Sequence, residues 1–289
     1  MSGSTSHERT VPTRRISFEE SMSEVPRHFG ADGDLVLSHV AASLSSVFPD
    51  GEDFFVRSVR HFRDQIDDPV LKRNVAGFIG QEAMHGREHR DFNDHLAELG
   101  YPTKHFERMT KRGVELGERV LSPKVCLAAT AALEHFTAAL AELILSDPEA
   151  RDVFGHDEVK NLFLWHALEE SEHKAVAFDV YRAVGGSERM RRRTMNAITV
   201  AFIGGMTFAV LVSLLGDRAT YRPRTLLRGL RRFARSPMVS RALWRQLRDY
   251  NRPGFHPDDR DTHELIERWR EELFGTAGSL TDKLATSVA

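Results

Sequence analysis

The chain has 289 residues, 41% of them hydrophobic and 28% charged, a composition that folds and can bury one substantial core or two modest ones. A formal charge of −2 gives no support to general nucleic-acid binding. A single cysteine, Cys126, excludes an internal disulfide and any thiolate metal cluster, so a metal site here must use carboxylates and imidazoles.

The opening MSGSTSHERTVPTRRIS has no apolar run and does not read as a secretory signal. Residues 1–22 are expected to form a disordered tail, and the cytoplasm is the expected compartment. Leu35, Val36, Val40, Leu44 and Phe48 recur at helical spacing over 32–48. A short helix over 52–66 follows, with Asp50 as its expected cap. Residues 70–100 run without proline to a stop at Gly100 and Pro102, and another helical stretch covers 103–118. The clearest helix is 122–147, where Ser122 can cap and Pro123 occupies the first helical position. One more long helix is expected over 159–186, closed by Gly185 and Gly186. No sustained alternating β pattern appears before 197, so the fold class is all-α.

Residues 197–215, AITVAFIGGMTFAVLVSLL, are nineteen without a charge, the length of a membrane span. RMRRR at 189–193 precedes them, and nine arginines lie between 222 and 248. Arginine on both flanks suits a re-entrant or interfacial helix on an anionic membrane surface. A buried helix, or a homodimer contact through Gly204 and Gly205, is the alternative. A last amphipathic helix at 257–274 leads into a tail. The expected organisation is therefore a tail at 1–22, a metal-binding helical domain at 32–186, an apolar and Arg-rich segment at 189–250, and a terminal helix and tail at 257–289.

Two Glu-x-x-His motifs stand out, EAMH at 82–85 and ESEH at 170–173, and the helix before each carries a single glutamate, Glu52 or Glu134. Glu and His at this spacing share one helix face and can meet one metal pair. Glu52 lies roughly 15 residues before the turn near 67–69 and Glu82 roughly 14 after it, so antiparallel helices would bring both to one level. The same holds for Glu134 and Glu170 about the loop at 148–157. Glu134 sits in TAALEHFTAAL, where a carboxylate must be paired, metal-bound or protonated. The expected metal ligands are Glu52, Glu82, His85, Glu134, Glu170 and His173. His89 and His166 share faces with the two motifs and are the candidate catalytic residues, as further ligands, outer donors or proton shuttles. Glu169 and Glu172 are expected to be solvated, His135 lies outside the site, and His61 has no assignment. The alternative is an ordinary bundle whose polar clusters face water.

This pattern resembles the ferritin-like di-iron carboxylate proteins, with the six ligands above standing where that superfamily has its own. The run from RRISFEE through GQEAMHGREH, ALEHFTAAL and WHALEESEHKAVAFDVY is also similar to a bacterial family labelled predicted metal-dependent hydrolase, over roughly residues 12–250. The resemblance implies an antiparallel four-helix bundle with added N- and C-terminal helices, holding two metal ions. Iron is favoured, with manganese or zinc as alternatives; His89 and His166 exceed the usual two-histidine pattern. The family label implies a metal-dependent hydrolase. The ligand set equally suits an oxygen-activating oxidase or oxygenase, which would need a hydrophobic or acyl substrate and an electron donor. A non-catalytic metal-binding protein is the third possibility. If the apolar run meets a membrane, the expected place is the inner face of the plasma membrane.

Overall fold

A computed structural model describes residues 11–285. Residues 1–10 of the expected first tail and residues 286–289 of the expected last one lie outside the described residues. In chain order the α-helices are α1 (Glu19–Met22), α2 (Leu35–Ser45), α3 (Phe48–Arg60), α4 (Pro69–Glu98), α5 (Thr103–Val120), α6 (Pro123–Ser146) and α7 (Pro148–Asp152). They continue with α8 (Asp157–His173), α9 (Val176–Ala183), α10 (Glu188–Leu215), α11 (Pro223–Arg235), α12 (Arg241–Asp249) and α13 (His263–Phe274). Among the described residues there is no sheet, only the isolated bridges Ile16–Leu284 and Gly30–Asp34.

Local chemistry sets most helix ends. Ser122 accepts from Val125 N ahead of Pro123, and Asp68 accepts from Val70 N ahead of Pro69. The helix expected over 52–66 starts earlier, at Phe48, because Pro49 is tolerated in a first turn; Asp50 is therefore inside that turn and not its cap. The long helix expected over 159–186 is broken between His173 and Val176. No proline or glycine marks the break. The chain turns there as buried Lys174 donates to Arg260 O and Thr262 Oγ1.

Four long helices close a ring: α3 packs along α4 and α6, and α8 packs along α6 and α4. α10 lies across α6 and α2, α11 rests on α2, α12 covers α6 and α13 covers α8. The boundary expected near 186–189 is not a break in packing, since Met195, Leu243, Leu247 and Tyr250 share one core with Val75, Phe78 and Leu127. Arg191 fixes the start of α10: fully buried, it pairs with Glu188 and donates to Tyr250 O and Arg252 O.

Residues 11–22, expected within a disordered tail, are packed instead. Ile16, Phe18 and Met22 are buried, and full burial of side chains this large contributes about 1.5–3 kcal/mol each. The segment crosses α4 where glycines leave room. A side chain at Gly77 would strike the Val11 carbonyl, and one at Gly80 would strike Thr13.

Candidate metal centre

The ring points its glutamates inward: Glu52 from α3, Glu82 and His85 from α4, Glu134 from α6, Glu170 and His173 from α8, all buried. His173 Nε2 lies 3.1 Å from Glu82 Oε1, 3.4 Å from Glu134 Oε2 and 3.5 Å from Glu170 Oε2. One nitrogen thus ties three helices to one point. Beside it, His85 Nδ1 is 3.6 Å from Glu170 Oε1, and His166 Nε2 is 3.5 Å from Glu52 Oε1 and 3.0 Å from Glu170 Oε1. Two triads result, Glu82–Glu170–His173 and Glu52–His85–His166, each with ligand atoms within 4.8 Å of one another.

A second layer orients the imidazoles. His85 Nε2 is 3.0 Å from Glu169 Oε2, which leaves Nδ1 for the centre. His173 Nδ1 is 2.9 Å from Gln81 Oε1, which leaves Nε2. Gln81 Nε2 donates to Glu172 Oε2 at 2.7 Å, and Arg14 donates to both Glu169 and Glu172 at 2.7–2.9 Å. Arg270 Nε adds a bond to Glu172 at 2.6 Å. Glu169 and Glu172, expected in solvent, are therefore buried and ion-paired. The reason is that α8 has no wet face: Leu162, Phe163, Trp165 and Leu168 surround its axis and all are buried. That encircling apolar pattern was the available signal. Nothing in the sequence flagged Gln81 or Arg14.

A third layer sets the direction of a hydrogen-bond chain. Asn93 Nδ2 faces two acceptors, Ser45 O and Glu107 Oε1, so its Oδ1 faces the Ser45 hydroxyl at 2.7 Å. Ser45 therefore donates to Asn93 and accepts from His89 Nδ1 at 2.9 Å. Burial keeps His89 neutral, so its Nε2 accepts from His166 Nδ1 at 2.7 Å. His166 Nε2 then faces Glu170 and Glu52, placed either to share a proton with Glu170 or to take a bound cation. His135 stays outside, held by Gln246 O and the rings of Tyr250 and Phe255. His61 is exposed.

The charges are strongly perturbed. Burial, reinforced by neighbouring carboxylates, pushes Glu52 and Glu82 well above the usual carboxylate range and Glu134 up to about 7. Burial also opposes the charged form of Glu170, but His173 and His166 prevail and hold it well below that range. His173 is raised despite burial, by Glu170 and Glu134, while burial and the adjacent His166 lower His85 and His89. Burial lifts Glu169 to about 8 against the pull of Arg14.

The residues fit bound metal. Among the described residues, both oxygens of Glu52, Glu82 and Glu134, one oxygen of Glu170, Nδ1 of His85 and Nε2 of His173 are buried without an aligned hydrogen-bond partner. Leaving one such atom unmet costs about 1–3 kcal/mol, and more when it is charged. Oxygen and nitrogen donors without sulfur suit iron, manganese or zinc. A third cluster, His28–His39–Asp217, does not share this property. Asp217 accepts from Arg27, His28, His39 and Ala219 N, so its carboxylate is already satisfied. It clamps α2 to the end of α10.

An apolar cavity of about 480 Å³ reaches the centre at Glu52, His166 and Glu170. Phe48, Leu133, Phe136, Leu140 and Phe163 wall it, and it extends outward between α5 and α10 to Leu121, Ile198 and Met206. Among the described residues, no lysine or arginine lines it.

Fold and site together define an all-helical protein with a buried carboxylate–imidazole cluster built for metal. A family model described as predicted metal-dependent hydrolase matches residues 12–261, and the chain belongs to that family. No curated protein and no solved structure matches the chain. The family and the clusters together support a metal-dependent enzyme.

Proposed function

We propose that the ring is a ferritin-like dinuclear centre and that the enzyme oxidises an apolar, chain-shaped substrate with dioxygen. Glu52, Glu82, His85, Glu134, Glu170 and His173 are assigned as ligands, with His166 as a further nitrogen donor and His89 as the residue that fixes its tautomer. The observation that carries this reading is the cavity: among the described residues its only carboxylates, lysines or arginines are the glutamates of the centre, and the rest of its wall is almost wholly apolar. Such a slot suits a hydrocarbon beside an oxidising centre. Among the described residues it offers no lysine or arginine for the oxyanion that acyl hydrolysis develops, which would leave that task to bound metal alone. A metal pair bound there would supply dioxygen activation if iron, or a water of lowered pKa if zinc or manganese.

The chain's own residues do the rest. Phe163 and Phe136 align an alkyl segment and exclude water, while the Glu169 and Gln81 bonds keep His85 and His173 turned inward. Hydroxylation of a C–H bond would put one oxygen atom into the product and release the other as water. It would draw two electrons and two protons from an outside reductant. Hydrolysis is the second reading, and the family description favours it. A purely metal-storing protein would have no need of the cavity.

The test is metal content and reactivity of the purified chain. About two metals per chain are expected, and Glu134→Gln, which keeps the shape, should lose most of them while its circular dichroism is unchanged. Full metal occupancy in that variant would sink the assignment. Oxygen uptake on adding a medium-chain fatty acid and reductant supports oxidation. Ester cleavage without oxygen uptake, by a colourless zinc or manganese form, supports hydrolysis instead.

A further inference from the structure

We infer that the outer rim of the cavity, formed by α5 and α10 with the arginines of α11 beyond the end of α10, is a docking surface for an anionic phospholipid bilayer, and that the cavity loads from that bilayer. The use of the cavity rests on the reading above; the docking does not.

Val200, Gly204, Phe208, Leu211 and Leu215 form one stripe along α10, and the four large side chains among them are 50–76% exposed. Across the cavity mouth, α5 presents Met109, Leu116 and Val120, with Leu121 just beyond its end, 43–69% exposed. The mouth lies between these two ridges, with Gly113 and Gly117 on one side and Ala201 and Gly205 on the other. An apolar surface this continuous, opening onto an apolar cavity, is uncommon on a protein that meets only water.

Two observations choose the occupant. The opposite face of α10 is fixed to the protein: Phe202 packs on Phe136, Ser213 bonds to His39, and Arg191 is buried at its start. A helix held this way cannot cross a bilayer alone, so it lies along the surface. Beyond its end, Arg224, Arg228, Arg231 and Arg235 on α11 are exposed and have no carboxylate partner among the described residues. They outnumber the two carboxylates, Glu149 and Asp152, in a cleft they line with Leu227, while Leu230 on the same helix is exposed beside them. A second copy of this chain placed face to face would oppose these arginines with arginines. Lipid phosphates would complement them, with the apolar stripe entering the acyl boundary.

The experiment is sedimentation of the full-length, metal-loaded protein with vesicles of phosphatidylglycerol and phosphatidylcholine, or of phosphatidylcholine alone. We expect at least tenfold stronger partitioning to the anionic vesicles, weakened by salt. The double variant Phe208→Glu, Leu211→Glu should lose it tenfold or more with its metal content unchanged. A polarity-sensitive dye on Leu116→Cys should shift to the blue when anionic vesicles are added, because the α5 rim would enter the same interface. Equal and weak partitioning to both vesicle types, wild-type binding by the double variant, or a dimer that this variant dissociates would overturn the proposal. Docking by a protein that holds no metal would leave the docking surface standing and refute the reading of the centre, and with it the loading of the cavity.

Discussion

Replacing Gln81 with methionine preserves most of the side chain's volume while removing both polar atoms through which His173 is held. Three bonds disappear: 2.9 Å to His173 Nδ1, 2.7 Å to Glu172 and 3.0 Å to Pro12 O. Glu172 keeps Arg14 and Arg270, so its loss is small. The Pro12 bond is worth about 1 kcal/mol, and the imidazole N–H left buried without an acceptor costs about 1–3 kcal/mol. The metal-free protein should therefore lose roughly 2–4 kcal/mol in a denaturant titration. Its metal affinity, measured by chelator competition, should fall about 10–100-fold because His173 is no longer held in one tautomer and rotamer. Gln81→Glu, which can still accept from His173, should recover part of the affinity. If Gln81→Met bound metal as tightly as the parent, orientation through Gln81 would be refuted, whatever happened to stability.

Gly80→Val should push residues 11–16 off α4, at about 1–3 kcal/mol, and hydrogen exchange should show loss of protection over 11–22 with the helices unchanged. Asn93→Leu removes the group that directs Ser45 and His89, so less metal should be retained at the His166 side under chelation, while the Glu82–Glu170–His173 side should hold. Burial lowers His135 to about 4, below the roughly 6.5 of an unfolded histidine. The unfolded chain then binds the extra proton between those values, so this contribution is complete above about pH 6.5 and lost as pH falls toward 4, roughly 3 kcal/mol in all. His135→Gln, whose amide can still donate to Gln246 O, should flatten that acid limb in metal-free thermal melts; an unchanged limb would contradict the assignment.

Helical periodicity and equal distances from the two turns made the all-α fold and the convergence of six side chains legible. Glu134 was the clearest clue, because an isolated carboxylate on an alanine-rich face needs a reason to be there. What could not be read was anything set by distant chain. Arg14 neutralises Glu169 and Glu172 across more than 150 residues, and no local pattern announces such a pairing. The break at Lys174 likewise depends on Arg260 and Thr262. The early residues looked disordered because their few apolar side chains, Ile16, Phe18 and Met22, have no periodicity of their own; they gain order only against other elements.

The bridge between Ile16 and Leu284 is continued by Ser17 N to Lys283 O and Ala285 N to Arg15 O. Arg14 stands beside this seam, and its partner Glu172 also takes Arg270 from the last helix. The outer wall of the centre is thus sealed by the earliest and latest described stretches of the polypeptide meeting each other. The two arginines that hold Glu172 thus come from opposite ends of the described chain, one on each side of this joint. A fusion or cleavage that parts the joint would loosen Arg14 and Arg270 from Glu172 without touching any donor of the centre.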